Sequence, residues 1–299
     1  MKVSYIRVKV TGGLGNQLFK TLVGISFAKE FKSGLVLDTS WYNKKRKKSD
    51  PVNPRKFEID AFPELKKEFE IHARVNPSVL DDRIGQLLRR VDDKISAKFN
   101  YITDSNYSGI RLGKKHYVLD GNFENWKLLP SDQDLRRLLR FPTKKSLWFY
   151  EMQQIITGSR FIAIHIRRGD YLNLPQIYNI LTQDYYLKGI EAARKVVGNL
   201  PIVLFSDDSK GALEWISNKF PIDFIVPNSS DESPIEILEL MSNGTAIVCA
   251  HSTFSWWSAK IGTITKTANF VVIPERFFSH NNQINHNLNV PNWITINPE

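Results

Sequence analysis

The sequence predicts an α/β protein with parallel β-sheets, divided into two domains, and three observations carry this prediction. In the second half of the chain, short apolar runs of strand length alternate with stretches whose apolar residues have helical spacing. The first half opens with the order strand, glycine-rich turn, helix, strand. A chain of 299 residues with 42% hydrophobic side chains can bury a substantial core, and its length favours two domains.

The first half begins with a strand of alternating pattern and a glycine-rich turn over 11–16. Its predicted strands are 5–10, 35–38 and 117–120, and its predicted helices are 18–31, 64–72, 80–99 and 131–140. The segment between Phe141-Pro142 and Gly158 is the predicted boundary. We therefore expect one domain over 1–150 and a second over 151–299.

The second half alternates strictly between strands and helices. Its predicted strands are 161–166, 202–206, 224–226, 245–250 and 270–273, and its predicted helices are 183–197, 210–220 and 234–243. Gly198-Asn199 ends the first of these helices, and Ser233-Pro234-Ile235-Glu236 has the spacing of a capping box at the start of the last. Strands that are apolar on both faces indicate a parallel sheet covered by helices, and ligands bind such sheets at the carboxyl ends of the strands.

Composition and charge exclude several classes of protein. The one cysteine, Cys249, excludes an internal disulfide, no apolar run reaches membrane-spanning length, and Met1–Lys9 lacks the apolar segment of a secretory signal. We therefore expect a cytoplasmic protein. The net charge of +10 comes from residues 1–150, which carry 30 Lys and Arg against 17 Asp and Glu, whereas residues 151–299 carry 11 against 14.

The basic cluster Lys44–Lys48 has two interpretations. It is a solvated loop, or it draws the first half to an anionic membrane surface, such as the inner face of the membrane, or to a phosphate-bearing acceptor. A nucleic-acid-binding protein would interleave basic and aromatic residues on one surface. The cluster contains no aromatic residue, and we expect no nucleic-acid partner.

The stretch from His165 to Asp170 predicts a nucleoside-diphosphate site. It follows the apolar run 161–166, so Arg167 and Arg168 lie at the end of a buried strand. A guanidinium presents a planar fork of donors that chelates phosphate oxygens without deprotonating. Strand alternation puts His165 and Arg167 on one side, while Asp170 either orients an arginine or acts as a base. The alternative is a local ion pair beside a core histidine.

The glycine-rich turn Gly12–Gln17 also has two interpretations. Glycines let the backbone approach a pyrophosphate at a helix N-terminus, but the dinucleotide fingerprint lacks its third glycine because position 18 is leucine. The turn is simply tight, or its amides and Asn16 reach into a cleft between two domains. The candidate substrate-binding residues are Gly13, Gly15, Asn16 and Gln17.

Two more segments follow predicted strands. Asp207 and Asp208 could accept hydrogen bonds from ribose hydroxyls or a guanine edge, one of them could cap a helix, and a divalent metal ranks last because no further ligand cluster accompanies them. The segment 251–257 places small hydroxyl residues at a helix N-terminus, where amides bind phosphate, and its tryptophans suit a core. The candidates there are Ser252, Thr253, Phe254 and Ser255.

Together these segments resemble the bacterial alpha-1,2-fucosyltransferases of glycosyltransferase family eleven. The resemblance rests on the motifs Gly12–Phe19, His165–Tyr171, Phe205–Asp208, Glu239–Ser242 and Ser252–Trp257, which occur in the family's order and span nearly the whole chain. The last motif combined with the arginine pair is the specific part.

The resemblance implies a GT-B-like fold of two Rossmann-like domains, the first facing the acceptor and the second holding GDP-fucose, with no metal or other cofactor. It implies Arg167 at the donor diphosphate, His165 and Asp207 or Asp208 nearer the nucleoside, and Ser252–Ser255 near the phosphates. The chain departs from the family at His251, where asparagine is common, and in the loop Gly121–Trp126, where glutamine is frequent. Glu124 in this loop is a candidate for binding the acceptor sugar or for acting as a base.

The implied reaction is inverting transfer of L-fucose from GDP-fucose to the 2-hydroxyl of a terminal beta-galactose, in surface polysaccharide of O-antigen type. Arg167 and Arg168 would neutralise the departing GDP, and a base, which is Asp170, Glu124 or none, contributes less. The alternatives are another nucleotide-sugar glycosyltransferase, such as a protein O-fucosyltransferase, and a basic nucleic-acid-binding protein. Leu18 disfavours a nicotinamide dehydrogenase.

Overall fold

A computed structural model describes residues 5–43, 55–72, 100–105, 107, 116–157, 160–169, 181–228, 233–276 and 287–298. The basic cluster Lys44–Lys48 and the predicted helix 80–99 lie outside these residues. The described residues form two compact units. The first contains the residues up to Asp134 together with Asn287, and the second contains the other residues from Leu135 onward. Each unit is built on one parallel sheet, which confirms the predicted α/β class.

The sheet of the first unit has its central strand at the start of the chain. Its strands are β1 (Tyr5–Lys9), β2 (Gly34–Asp38), β3 (Glu70–His72), β4 (Asn100–Ile102) and β5 (His116–Leu119), in the order β3-β2-β1-β5-β4. All four pairings are parallel. The chain leaves β1 toward β2 on one side, whereas β5 lies on the other. The strand order therefore reverses between β1 and β5, where open α/β sheets bind ligands.

The first unit's long helix begins directly after the glycine turn. α1 (Leu14–Glu30) starts earlier than the predicted residue 18, with Gly13 as its extended N-cap. Leu18, Phe19 and Leu22 of α1 are fully buried. A Cβ on Gly24 would lie 2.6 Å from Val8 Cγ2, so this glycine lets α1 pack closely on β1. The short helix α2 (Asp132–Leu138) follows a 3₁₀ turn over Trp126–Leu128.

The predicted helix over 64–72 is wrong. The structure has a 3₁₀ turn over Leu65–Glu68 and then β3, whose Glu70 pairs with Val36 of β2. The side chains of β3 are exposed, because β3 lies at the edge of the sheet. A short, charged edge strand lacks the apolar periodicity from which strands are predicted. Its charged side chains help to prevent pairing with another chain.

Five of the six strands in the sheet of the second unit lie close to predicted strands, and the sixth, at Ile294–Ile296, was not predicted. Its strands are β6 (Ile162–Ile166), β7 (Ile202–Ser206), β8 (Phe224–Ile225), β9 (Ala246–Val248), β10 (Phe270–Pro274) and β11 (Ile294–Ile296), in the order β11-β10-β9-β6-β7-β8. All five pairings are parallel. The order reverses between β6 and β9, so the carboxyl ends of these two strands flank the expected ligand position.

Helices cover both faces of this second sheet. They are α3 (Leu147–Thr157), α4 (Gln183–Val197), α5 (Ser209–Ile216), α6 (Pro234–Ser242) and α7 (Thr253–Thr265). Ile162, Ile164 and Ile166 pack in one core cluster with α4 and α5. Ala163 packs in the other, with α3, α6 and α7. The strict alternation along β6 decides which face each later side chain reaches.

The division between the units differs from the predicted one at residue 150. Residue 150 falls inside α3, whose Trp148 and Phe149 are buried in the second unit's core. Ser146 ties the start of α3 to α6, because its backbone N–H and hydroxyl donate to the Glu236 carboxylate at 2.7 and 2.6 Å. The capping box predicted at Ser233 does not form, since Glu236 is occupied by Ser146 and Ser233 makes no side-chain cap.

Candidate functional site

Arg167 forms an ion pair at the carboxyl end of the second sheet. Its Nη1 lies 3.1 Å from Asp207 Oδ2, and the two side chains are only 15% and 20% exposed. Asp207 Oδ1 accepts a hydrogen bond of 3.0 Å from the Arg168 backbone N–H. A Cβ on Gly169 would lie 2.2 Å from Asp207 Oδ2, so only glycine leaves room for this carboxylate. The loop after β6 and the loop after β7 are thereby locked together.

Arg168 turns to the other face of the sheet. Its guanidinium carbon lies 5.1 Å from the centre of the Trp215 ring on α5, a cation–π contact. Trp215 and the neighbouring Tyr186 belong to the α4 and α5 side of the core. The two adjacent arginines therefore diverge: one pairs with a carboxylate and the other stacks on an aromatic ring.

His165 lies on the face opposite Arg168, with its ring 5.9 Å from the ring of Phe254 on α7. It is 4% exposed, and no hydrogen-bond partner reaches its Nδ1 from any described residue. Burial and the nearby positive charge of Arg167 lower the pKa of His165 to about 3. The imidazole is therefore neutral at physiological pH and can both donate and accept a hydrogen bond.

Asp208 caps the N-terminus of α5, as the sequence analysis expected for one of the two aspartates. Its Oδ1 accepts a hydrogen bond of 3.1 Å from Gly211 N at the start of α5, and its own backbone N–H donates to Ser206 Oγ. A Cβ on Gly211 would lie 2.2 Å from Asp208 Oδ2. Adjacent aspartates thus have different tasks, since Asp207 faces Arg167 and Asp208 faces its own helix.

The N-terminus of α7 follows β9 and is ordered by its own hydroxyl groups. Ser252 caps the helix by accepting from Phe254 N at 3.2 Å. Ser255 is fully buried, accepts from Ala250 N and donates to the Ser252 carbonyl oxygen. Thr253 and Phe254 are partly exposed. These two residues are therefore the part of the predicted segment that a ligand could contact directly.

The tryptophans of this segment are core residues. Trp256 and Trp257 have no exposed surface, and Trp256 Nε1 donates to the Leu288 carbonyl oxygen at 2.8 Å. The preceding His251 is also buried, at 3% exposure. The two tryptophans thus anchor the start of α7 in the core, and the hydroxyl residues Ser252 and Thr253 lie at the carboxyl edge of the sheet.

In the first unit, the glycine turn is tied to the segment 55–58. Gly12 has a φ of +84°. The side-chain amide of Gln17 is fully buried, donates to Lys56 O at 2.7 Å and accepts from Glu58 N at 2.9 Å. Gln17 therefore bonds to backbone groups that shape the turn. Gly13 lies beneath the Arg55 side chain, while Gly15 is buried within α1 and Asn16 is partly exposed.

Glu124 follows β5, on the other side of the first sheet's reversal point. It is 4% exposed. The loop before it is held by Asp104, whose carboxylate oxygens accept from Asn122 N at 2.8 Å and Phe123 N at 2.6 Å. Phe123 has a left-handed φ of +53° and is buried. A bulky residue in this conformation is strained, and such strain is concentrated at functional sites.

Two titratable residues of the first unit were missed by sequence reasoning. Lys20 on α1 is 5% exposed, and burial lowers its pKa although Glu124, Asp104 and Asp120 act to raise it. Burial raises the pKa of Glu58 to about 7. The signal in the sequence was the position of Lys20 among apolar residues of a predicted helix, and the structure adds that residues 17–24 are all buried.

Comparisons with known proteins agree with this architecture. The family model described as glycosyl transferase family 11 matches residues 62–297. The chain belongs to glycosyl transferase family 11. The family and the glycosyltransferase class expected from the motifs are therefore confirmed.

Two curated relatives from Escherichia coli are similar over most of their length. This family 11 chain is 29% identical to the O-antigen biosynthesis glycosyltransferase WbnK, covering 96% of this chain and 99% of the relative. It is 28% identical to an alpha-1,2-colitosyltransferase, covering 86% and 87%.

Among solved structures, the chain resembles fucosyltransferase NodZ. The TM-score is 0.52, at 16% identity, to NodZ alpha-1,6-fucosyltransferase co-crystallized with GDP, and 0.53, at 15% identity, to NodZ from Bradyrhizobium. Both alignments cover 87% of this chain and 92% of the other. Identity at this level shows the fold alone, and that fold is the expected GT-B-like one.

The structure brings the predicted residues of this glycosyltransferase together in two groups. His165, Arg167, Asp207 and the 252–255 segment lie at the carboxyl edge of the second sheet, with Arg168 on its other face. The glycine turn and Glu124 lie at the carboxyl edge of the first sheet. Asp170 lies outside the described residues, and its predicted role stays a prediction.

Within the described ranges, no three histidine, cysteine or carboxylate side chains are arranged to hold a metal ion. In the same ranges, no helix has the length and apolarity needed to cross a bilayer.

Proposed function

We propose that this family 11 glycosyltransferase transfers L-fucose from GDP-fucose, with inversion, to the 2-hydroxyl of a terminal beta-galactose in an O-antigen-type polysaccharide. The names of the relatives support the proposal, since one is an O-antigen biosynthesis glycosyltransferase and one a 1,2-linking transferase. NodZ, which shares the fold, was crystallized with GDP.

One observation carries the proposal: a largely buried arginine at the reversal point of the donor-side sheet. When the bond between the anomeric carbon and the diphosphate oxygen breaks, GDP leaves with the electron pair and gains negative charge. Arg167 directly follows β6, which pairs with β9, and α7 is the next helix after β9. The planar guanidinium of Arg167 can hold two phosphate oxygens. Asp207 orients it before the donor arrives. A preformed cation at the leaving group stabilises the transition state without reorganisation.

The other donor-side residues have complementary tasks in this proposal. Neutral His165, next to Phe254, offers a donor and an acceptor to the nucleoside without adding charge. The amides at the start of α7, near Thr253, add to the positive potential at the phosphates. Arg168 supports Asp207 through its backbone N–H and contributes its charge from the other face of the sheet.

The acceptor chemistry belongs to the first unit in this proposal. The acceptor oxygen attacks the anomeric carbon from the face opposite GDP, and its proton passes to a base, for which Glu124 is the candidate among the described residues. Because arginines and amides neutralise the leaving group, we expect the reaction to need no metal ion. Full activity in excess EDTA is the expected result, and restoration of lost activity by a divalent cation would contradict it.

The decisive experiment replaces Arg167. Arg167→Ala is expected to lower kcat/KM for fucosyl transfer roughly a thousandfold or more while leaving the circular dichroism spectrum near that of wild type. Arg160→Ala, which removes an exposed arginine just before β6, is the matched control and should retain wild-type turnover. Near-native transfer by Arg167→Ala would refute the assignment.

Substrate identity is tested with GDP-fucose and a panel of galactose-terminated disaccharides, with the product linkage read by NMR. The colitosyltransferase relative favours a second donor candidate, because colitose is the 3-deoxy form of L-fucose. A kcat/KM for GDP-colitose above that for GDP-fucose would replace the donor sugar and keep the rest of the proposal. A product linked through a hydroxyl other than O2 would overturn the acceptor assignment.

A further inference from the structure

Helix α3 carries large apolar side chains on its outer face as well as on its inner one. The inner face is buried in the core of the second unit and consists of Trp148, Phe149, Met152 and Ile156. The outer face exposes Leu147 at 74%, Tyr150 at 46% and Ile155 at 56%. A surface helix normally turns polar residues to the solvent. The outer face of α3 therefore has the character of a contact surface.

The exposed apolar residues of α3 are concentrated on one side of the helix. Among the described residues seven large apolar side chains are exposed, and three of them belong to this helix of 11 residues. Tyr150 is three residues after Leu147 and Ile155 is eight residues after it, and both spacings keep side chains on one side of a helix. Single exposed apolar residues need no explanation, whereas a group of them marks a protein or membrane contact.

Exposed cations lie just before the start of α3. Arg140 and Lys144 are exposed, and neither forms an ion pair or a hydrogen bond with any residue of the described ranges. Lys145, by contrast, is paired with Glu239. The last turn of α2 contributes two more arginines. Because the N-terminus of a helix is itself positive, cations there do not stabilise α3. Their position suits an anionic partner instead.

We propose that the outer face of α3, together with Arg140 and Lys144, docks on an anionic phospholipid surface. Leu147 and Ile155 enter the boundary between headgroups and acyl chains, Tyr150 keeps its hydroxyl at the headgroups, and the two cations contact lipid phosphates. Charge complementarity selects this occupant, since a second copy of the chain would present the same cations and no matching anions. The inference uses none of the residues of the proposed transfer reaction.

The test is co-sedimentation of the protein with vesicles of phosphatidylcholine and phosphatidylglycerol in equal parts, compared with phosphatidylcholine alone. We expect binding to the anionic vesicles that added salt weakens, and much weaker binding to the neutral ones. Leu147→Ser should weaken partitioning into the anionic vesicles about tenfold, and Lys144→Gln about fivefold. Glu151 is an exposed acid on the same face, so Glu151→Gln should strengthen binding. Wild type that binds neither vesicle would overturn the inference.

A matched control and a fluorescent label locate the contact. Val196→Ser removes a valine of 59% exposure from α4 and should bind the vesicles as wild type does. Cys249 is fully buried, so an environment-sensitive dye can be attached selectively to Leu147→Cys or to Val196→Cys. The dye at position 147 should brighten and shift to the blue with anionic vesicles, and the dye at 196 should not. Equal responses at the two positions would contradict the proposed surface.

Two further outcomes would assign the surface differently. If replacing Lys44–Lys48 by glutamine abolishes vesicle binding while Leu147→Ser binds normally, the first half carries the attraction and the inference is overturned. If wild type binds no vesicles but forms a dimer that Leu147→Ser dissociates, a second copy covers α3 and the inference is again overturned. Transfer to a water-soluble disaccharide should be unchanged in Leu147→Ser, so the proposed function is tested separately.

Discussion

At the scale of single residues, the face of the sheet on which a side chain lies determines which residues it contacts and whether it is charged. His165 and Arg168 are three residues apart, yet one is a neutral imidazole beside Phe254 and the other a cation stacked on Trp215. The sequence predicted both as ligand-binding candidates, because both are polar and lie at a strand end. It could not predict their divergence, since that depends on which helices cover each face.

The low pKa of His165 makes a prediction about stability and pH. The folded value of about 3 lies below the unfolded 6.5, so the unfolded chain binds the proton more readily and the contribution of His165 is lost as pH falls below 6.5. Between pH 6.5 and 4.5 this loss is at most about 3 kcal/mol. His165→Asn should therefore lose less of its free energy of unfolding across that interval, measured by urea denaturation. Equal losses in the two proteins would contradict the assignment.

At the scale of elements, the strands were predictable where both faces are apolar. β6 and β7 lie close to their predicted positions because continuous apolar runs bounded by turns admit few other structures. β3, β4 and β11 were not predicted, because each is a three-residue strand at a sheet edge and carries no such pattern. The start of α5 was also not fully predictable. Either Asp207 or Asp208 could cap this helix by sequence, and only the structure shows that Asp208 does so.

The two aspartates at the start of α5 make a paired prediction. Asp208→Ala removes the cap and should cost about 0.5–2 kcal/mol of unfolding free energy while leaving GDP affinity within about twofold of wild type. Asp207→Ala releases Arg167 from its ion pair and should weaken GDP binding at least about tenfold. Urea denaturation and isothermal titration calorimetry measure the two quantities. A stronger loss of GDP affinity in Asp208→Ala than in Asp207→Ala would reverse our assignment.

At the scale of the whole molecule, each unit repeats one principle. In both sheets the strand order reverses beside the first strand of the unit. The glycine turn and Glu124 follow the two strands that flank the reversal in the first sheet, and Arg167 and the 252–255 segment do so in the second, whereas Asp207 and Asp208 follow β7. The expectation that ligands bind at carboxyl strand ends therefore applies twice, once to the arginine group and once to the glycine turn and Glu124.

This division predicts which backbone amides each substrate protects from hydrogen exchange. GDP alone should slow exchange in peptides covering 165–169, 206–209 and 251–256, because the proposed donor site is formed by the second unit. A beta-galactoside acceptor should slow exchange in peptides covering 11–20 and 121–125. Mass spectrometry of the free and liganded protein measures both effects. Protection by GDP confined to the first unit would contradict the assignment of the donor side.

By itself, the sequence determined the alternation of strands and helices, the arginine pair at a strand end and the motifs of family 11, because local periodicity and short motifs need no knowledge of distant residues. Only the tertiary structure decided that Arg167 pairs with Asp207, that Arg168 turns to Trp215, and that Asp104 holds the loop before Glu124. These contacts join residues far apart in the chain, and they arise when the order of the strands brings their carboxyl ends together.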